Sequence, residues 1–267
     1  MAKTAAGRTR TGAADALLEQ ARTVTDWLRE LPPEAFALPS VLPGWDVRTL
    51  TAHLVMAHQT LVAALGTPAS EPAVPIERYV QGYRPGAESI AQRTQETAGD
   101  VPGPELVEQL SSVVDTLAAR LAKPAAAAVV VGPRGPIRRD DILATRIVEV
   151  VVHSDDLSRT LPDREPVSLR PGALGRCSRT LAAILAGQHP GRSVEVRIPP
   201  YAAVQCGLGD PGPTHTRGTP PNVVETDPVT FLRLATGRIT WPEAMATGQV
   251  HASGLRADLT PALPLLS

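Results

Sequence analysis

The sequence predicts an α + (α+β) fold, a four-helix bundle followed by a smaller α+β domain. Three observations predict it. Helical periodicity runs through the first 160 residues, a proline-rich stretch follows, and the remainder mixes short helical patterns with period-two alternation.

Leu17, Ala21, Val24, Leu28 and Leu31 form one stripe of an amphipathic helix that Pro32-Pro33 ends. A second helix opens behind Pro43-Gly44-Trp45-Asp46, with Asp46 as N-cap, and runs through Leu50, Leu54, Ala57, Leu61 and Leu65 to Gly66. Residues 67–85 are rich in Pro and Gly and read as a loop carrying Tyr79 and Tyr83 over the bundle. The third helix is broken in two around Gly99 to Pro104, its second piece marked by Leu106, Leu110, Val113, Leu117 and Leu121. Ala125 to Val131 and the following Gly-Pro-Arg-Gly-Pro read as an extended excursion and a turn. Asp140-Asp141 is expected to cap the fourth helix, through Ile142, Arg146, Glu149, His153 and Leu157.

Residues 161–171 have the composition of a linker. Beyond them a helix is expected around Leu174 to Ala186. Strands follow at Val194, Val196 and Ile198, at Ala203 to Cys206, at Val223 to Thr226 and at Gln249 to Ser253. Asp227-Pro228 and a Thr240/Glu243 capping box open two more helices. The expected organisation is a disordered tail over 1–12, the bundle over 13–160, the linker over 161–171 and the α+β domain over 172–267.

A formal net charge of −1 argues against nucleic acid or a charged membrane surface as partner. No stretch has the roughly 20 apolar residues of a spanning helix, and no apolar run follows the basic N-terminus as in a signal peptide. Two cysteines, Cys177 and Cys206, make neither a disulfide framework nor a zinc ribbon, so both read as packing residues in a reducing cytoplasm. Arg138-Arg139-Asp140-Asp141 reads as a solvated start of a helix, and Trp45 as a core or hinge residue.

Glu149 and His153 lie four apart on one helix and share a face. His53, between Leu50 and Ala57, faces the interior of the bundle. Two imidazoles and a carboxylate from facing helices suit a divalent metal, either catalytic zinc or a facial-triad iron. The same spacing also fits a plain buried pair of Glu149 with His153, with Arg146 neutralising the carboxylate. His58 is set aside as a ligand because it sits about 140° around the helix from His53.

Two segments carry a family resemblance. Leu42 to Leu54, LPGWDVRTLTAHL, resembles the PGW-x-V-x-x-L-x-x-H-L signature of the mycothiol-dependent maleylpyruvate isomerase family. Arg146 to Leu157, RIVEVVVHSDDL, resembles its second signature, R-x-x-E-x-x-x-H-x-x-D-L. The resemblance implies a DinB-like metal-binding bundle with His53, Glu149 and His153 as ligands. Asp156 is the motif aspartate, expected to orient the His153 imidazole. Asp227 to Arg238 and Gly248 to Gly254 look like the closing part of a sterol-carrier-like domain, which either carries a lipid tunnel or closes the mouth of the bundle site.

The resemblance implies a metal-dependent enzyme, with zinc foremost, that uses mycothiol as co-substrate to isomerise, or transfer sulfur to, a small electrophilic molecule. Arg217 is the candidate for binding substrate carboxylates, set against a plain solvated loop residue. The alternative is a non-enzymatic carrier of lipid or another apolar ligand, with a structural or vestigial metal site.

Overall fold

A computed structural model of the chain describes residues 12–208 and 220–266. Arg217 and the expected tail, apart from Gly12, lie outside the described residues.

The first stripe becomes α1 (Ala13–Arg29), in which Leu17, Ala21, Val24 and Leu28 are fully buried. After a 3-10 turn at Pro33–Ala37 comes α2 (Val47–Leu65), whose cap forms as expected: the Thr49 amide donates to the Asp46 carboxylate at 2.6 Å. Asp46→Ala is expected to lower stability by about 1 kcal/mol, read as an unchanged slope and an earlier midpoint in urea.

The 67–85 stretch is more ordered than a loop. It contains α3 (Ile76–Tyr79) and a 3-10 turn at Val80–Gly82, and it buries Tyr79. Gly132 explains why the ring fits, since a Cβ at that position would collide with the Tyr79 hydroxyl. Next come α4 (Ala87–Ala98) and α5 (Gly103–Leu121), divided at Gly99, whose φ of +40° favours glycine. The excursion is a hairpin of β1 (Val129–Gly132) and β2 (Gly135–Arg138), turned at Pro133-Arg134. It leads directly into α6 (Arg139–Thr160). Asp140 and Asp141 are not its cap, which is Arg138 in extended conformation; they sit in the first turn, where their charge faces the positive end of the helix dipole.

α2 packs against α4, α5 and α6, and α1 against α5 and α6, so α1, α2, α5 and α6 form the four-helix core. The segment after α6, though linker-like in composition, lies along the bundle. Trp27 Nε1 donates to the Glu165 carbonyl at 2.8 Å, the Arg170 amide donates to Gln20 Oε1 at 2.8 Å, and Val167 is buried.

The second half is α+β. α7 (Pro171–Gln188) packs against α6 and α1, and also against the sheet that follows. β3 (Val194–Ile198), β4 (Ala202–Cys206), β5 (Val223–Thr226) and β6 (Val250–Ser253) form a sheet in the order β4-β3-β5-β6. β3 and β5 are parallel and the other pairs antiparallel. Between β5 and β6 lie α8 (Pro228–Ala235), capped by Asp227, and α9 (Trp241–Ala246), opened by the Thr240/Glu243 capping box. Among the described residues no helix is long and apolar enough to cross a membrane.

Two bidentate ion pairs fasten this half to the bundle. Arg233 donates to Asp155 at 2.7 and 2.8 Å, and Arg238 donates to Asp156 at 2.8 and 3.1 Å. Both aspartates are buried neighbours on α6. Gly237, at φ +70°, makes the turn that sends Arg238 back toward that helix.

Candidate metal centre

α2 and α6 bring His53, Glu149 and His153 together, with one donor atom from each lying within 4.8 Å of the others. His53 Nε2 stands 2.9 Å from Glu149 Oε1, and the two imidazole rings meet edge to face with centroids 4.9 Å apart. The plain buried-pair reading is half right. Arg146 does neutralise Glu149, at 2.5 Å, but the imidazole that bonds to the carboxylate is His53 rather than His153.

Each histidine is held through its other nitrogen. The His153 Nδ1–H donates to Asp156 Oδ2 at 3.0 Å, which leaves the Nε2 lone pair for the site. His53 Nδ1 is 3.2 Å from the hydroxyl of Thr94, a fully buried residue of α4. Burial pushes the His153 imidazole below its ordinary pKa, so it is neutral at pH 7, as a metal ligand must be. Burial alone would raise the Glu149 carboxyl, but the Arg146 charge and the His53 hydrogen bond outweigh it and hold the group well below the usual carboxylate range. Two imidazoles with their outer nitrogens occupied, beside a carboxylate kept ionised, form a donor set that fits a divalent cation.

Asp156 obeys the same balance. Burial raises its carboxyl, and hydrogen bonds from His153 and Arg238 bring it down to about 2. A folded-state value below the unfolded one stabilises the protein above pH 3.8, and that contribution, about 2 kcal/mol, is lost as pH falls toward about 2. In Asp156→Asn the stability measured across that window is expected to change less with pH than in wild type.

The triad forms part of the wall of a largely apolar pocket of about 370 Å³ between the two halves of the chain. Thr180, Ile184, Thr236, Arg238 and Leu266 contribute from the second half. Trp45 is half-buried and packs against the core. It lines this pocket with its ring centroid 5.1 Å from that of His53. His58 stays out of the triad as its helix position demands, buried with Nδ1 2.7 Å from the Leu54 carbonyl oxygen. Cys177 and Cys206 are buried packing residues, and burial pushes both thiols up, Cys206 to about 11.

Sequence reasoning missed Arg238 and Thr94. For Arg238 the only signal was the Thr-Gly-Arg ending of α8, and for Thr94 there was none beyond a polar residue on a helix. Arg217, the expected arginine of the second half, is not among the described residues. The arginine that the structure brings to the pocket from that half is Arg238.

The family profile of the mycothiol maleylpyruvate isomerase N-terminal domain matches residues 17–158, and that of a bacterial SCP ortholog matches residues 172–265. No curated protein matches the chain. Among the solved structures that resemble it are one of the mycothiol-dependent maleylpyruvate isomerase and one of a histidine-to-alanine mutant of it. Each is 17% identical, with 90% of this chain and 91% of that one covered and a TM-score of 0.59. At that identity the likeness is one of fold. The first profile spans more than half of the sequence, and the chain therefore belongs to the mycothiol maleylpyruvate isomerase N-terminal domain family, here joined to a bacterial SCP-type domain.

Proposed function

We propose that this protein is a metal-dependent enzyme that uses a low-molecular-weight thiol, mycothiol by family likeness, for isomerisation of a small electrophilic substrate or S-transfer to it. The observation that carries the reading is that, among the described residues, three protein donors and not four converge on a site facing an apolar pocket. A structural zinc is ordinarily closed by four protein ligands, whereas a catalytic one keeps a position open. A divalent cation bound there, zinc for such donors, would supply the positive charge that favours the thiolate form of a thiol at neutral pH.

The residues divide the remaining work. His53, Glu149 and His153 hold the ion, Asp156 keeps the His153 Nε2 lone pair directed at it, and Arg146 keeps Glu149 charged. The apolar walls limit water around the reacting sulfur. The chain needs no nucleophile of its own, and neither buried cysteine supplies one. Isomerisation is addition of the thiolate to a conjugated cis double bond, rotation, and release of the same thiolate, with no atom gained or lost. S-transfer is the same addition followed by protonation of the carbon.

A thermal-shift series with zinc, mycothiol and a panel of lipids separates this reading from that of a lipid carrier. Stabilisation by mycothiol only in the zinc-loaded protein is the expected result. Stabilisation by lipid alone, with no response to thiol, would replace it with the carrier.

A further inference from the structure

Of the twelve residues of α4, only Thr94 and Ala98 are buried. Ala98, at its end, packs with Ala52 of α2 and Leu106 of α5, and Arg48 donates to the Ala98 and Gly99 carbonyls at 3.2 and 2.6 Å. The earlier turns form one wall of the pocket, through Ala87, Ile90 and Arg93. There the inward position belongs to Thr94, fully enclosed, where packing alone calls for an aliphatic side chain.

Its hydroxyl is not used within the helix. Thr25, Thr51, Thr60 and Thr97 each donate to the carbonyl four residues back, a common destination for a helical threonine. Thr94 makes no such bond, and among the described residues its sole partner is His53 Nδ1, at 3.2 Å. It is also, among the described residues, the one side chain of α4 hydrogen-bonded to the rest of the bundle. Those of Gln92, Arg93 and Thr97 bond within the helix.

A hydroxyl suits this position because it both donates and accepts. In a neutral His53 ring the contact with the ionised Glu149 places the hydrogen on Nε2, so Nδ1 accepts from the Thr94 hydroxyl. Ligation through Nε2 requires the other tautomer, whose Nδ1–H donates to the same oxygen. The Asp156 carboxylate only accepts and therefore fixes His153 in that second tautomer, whereas Thr94 can hold the His53 ring in either.

We propose that Thr94 is a positioning residue for His53, and that through it metal binding is coupled to the docking of α4 against α2. This rests on the reading of His53 as a metal ligand and adds the regulation of that site. With α4 docked the His53 ring is held for ligation, and by linkage a bound cation favours the docked helix by the same factor. A peripheral helix with two buried residues is the kind of element that opens locally while the rest stays folded. Metal binding and completion of the pocket wall are then one coupled event.

Zinc titration against a competing chelator, and amide hydrogen exchange with and without zinc, are compared in wild type, Thr94→Val and Thr94→Ser. In wild type, zinc is expected to slow exchange in α4 by about ten-fold or more beyond any change in α1. Thr94→Val keeps the bulk and loses the hydroxyl. It is expected to bind zinc about 10–100-fold more weakly, with α4 exchange no longer responding to zinc. Thr94→Ser, which keeps the hydroxyl, should recover both effects. Should Thr94→Val fail to fold, Thr94→Ala beside Thr94→Ser carries the same comparison. Wild-type zinc affinity in the valine variant, or equal losses in the valine and serine variants, would overturn the proposal. So would zinc binding to wild type with α4 exchange unchanged. Each of these results leaves the metal reading standing, whereas no zinc binding by wild type would remove both.

Discussion

Arg238→Met is expected to destabilise the protein by about 3–5 kcal/mol, because it leaves the Asp156 carboxylate buried with His153 as its only partner. The side chain of Asp156 is fully enclosed, so water cannot replace the guanidinium. The loss should also reach the metal. Asp156 fixes the His153 ring, and disturbing a residue that orients a ligand costs about 10–100-fold in metal affinity. Arg238→Lys should recover part of the stability and less of the affinity, since an ammonium cannot reproduce the two-pronged contact. Urea denaturation and zinc titration against a competing chelator read the two effects separately. A variant as stable as wild type would mean that the Arg238–Asp156 pair does not form.

His53→Ala is expected to show the opposite balance. His53 lines a pocket that is already open, and Glu149 keeps its contact with Arg146 when the imidazole is removed, so stability should fall by no more than about 1 kcal/mol. Loss of a ligand itself should cost more than loss of a residue behind one, so zinc affinity should drop by more than about 100-fold. Mass-spectrometric metal content after zinc reconstitution and gentle desalting checks this. Stoichiometric zinc in the variant would remove His53 from the site. Together the two variants test whether His53 is a metal ligand and whether Arg238 acts on the fold and, through Asp156, on the proposed ligand His153.

What was legible in the sequence was what local spacing records. Periodicity located α1, α2 and α6, and the four-residue step from Glu149 to His153 placed both on one face. Asp46, Asp227 and Thr240 announced their helices because a cap is a contact over two or three residues. Spacing does not show which helix faces which, so by itself it fits a plain Glu149–His153 pair as well as a set that includes His53; the packing of α2 on α6 is what brings His53 to the carboxylate. The clamp of Arg233 and Arg238 on Asp155 and Asp156 was out of reach for the same reason. It joins residues 78 and 82 apart in sequence, and such a contact leaves no local pattern. Asp140-Asp141 misled because an acidic pair is as favourable in the first turn of a helix as at its cap. Trp45 packs against the core as a large ring beside a helix start suggests, but its place in the pocket wall beside His53 is a contact with no local pattern.

The central claim is that His53, Glu149 and His153 hold a metal whose open position recruits a thiol. Calorimetric titration of mycothiol into zinc-loaded and zinc-stripped protein, repeated in buffers of different ionisation enthalpy, tests it most directly. The account predicts binding to the zinc-loaded form alone, with release of about one proton per thiol as the sulfur becomes thiolate. Equal binding with and without zinc, or binding without proton release, would contradict it.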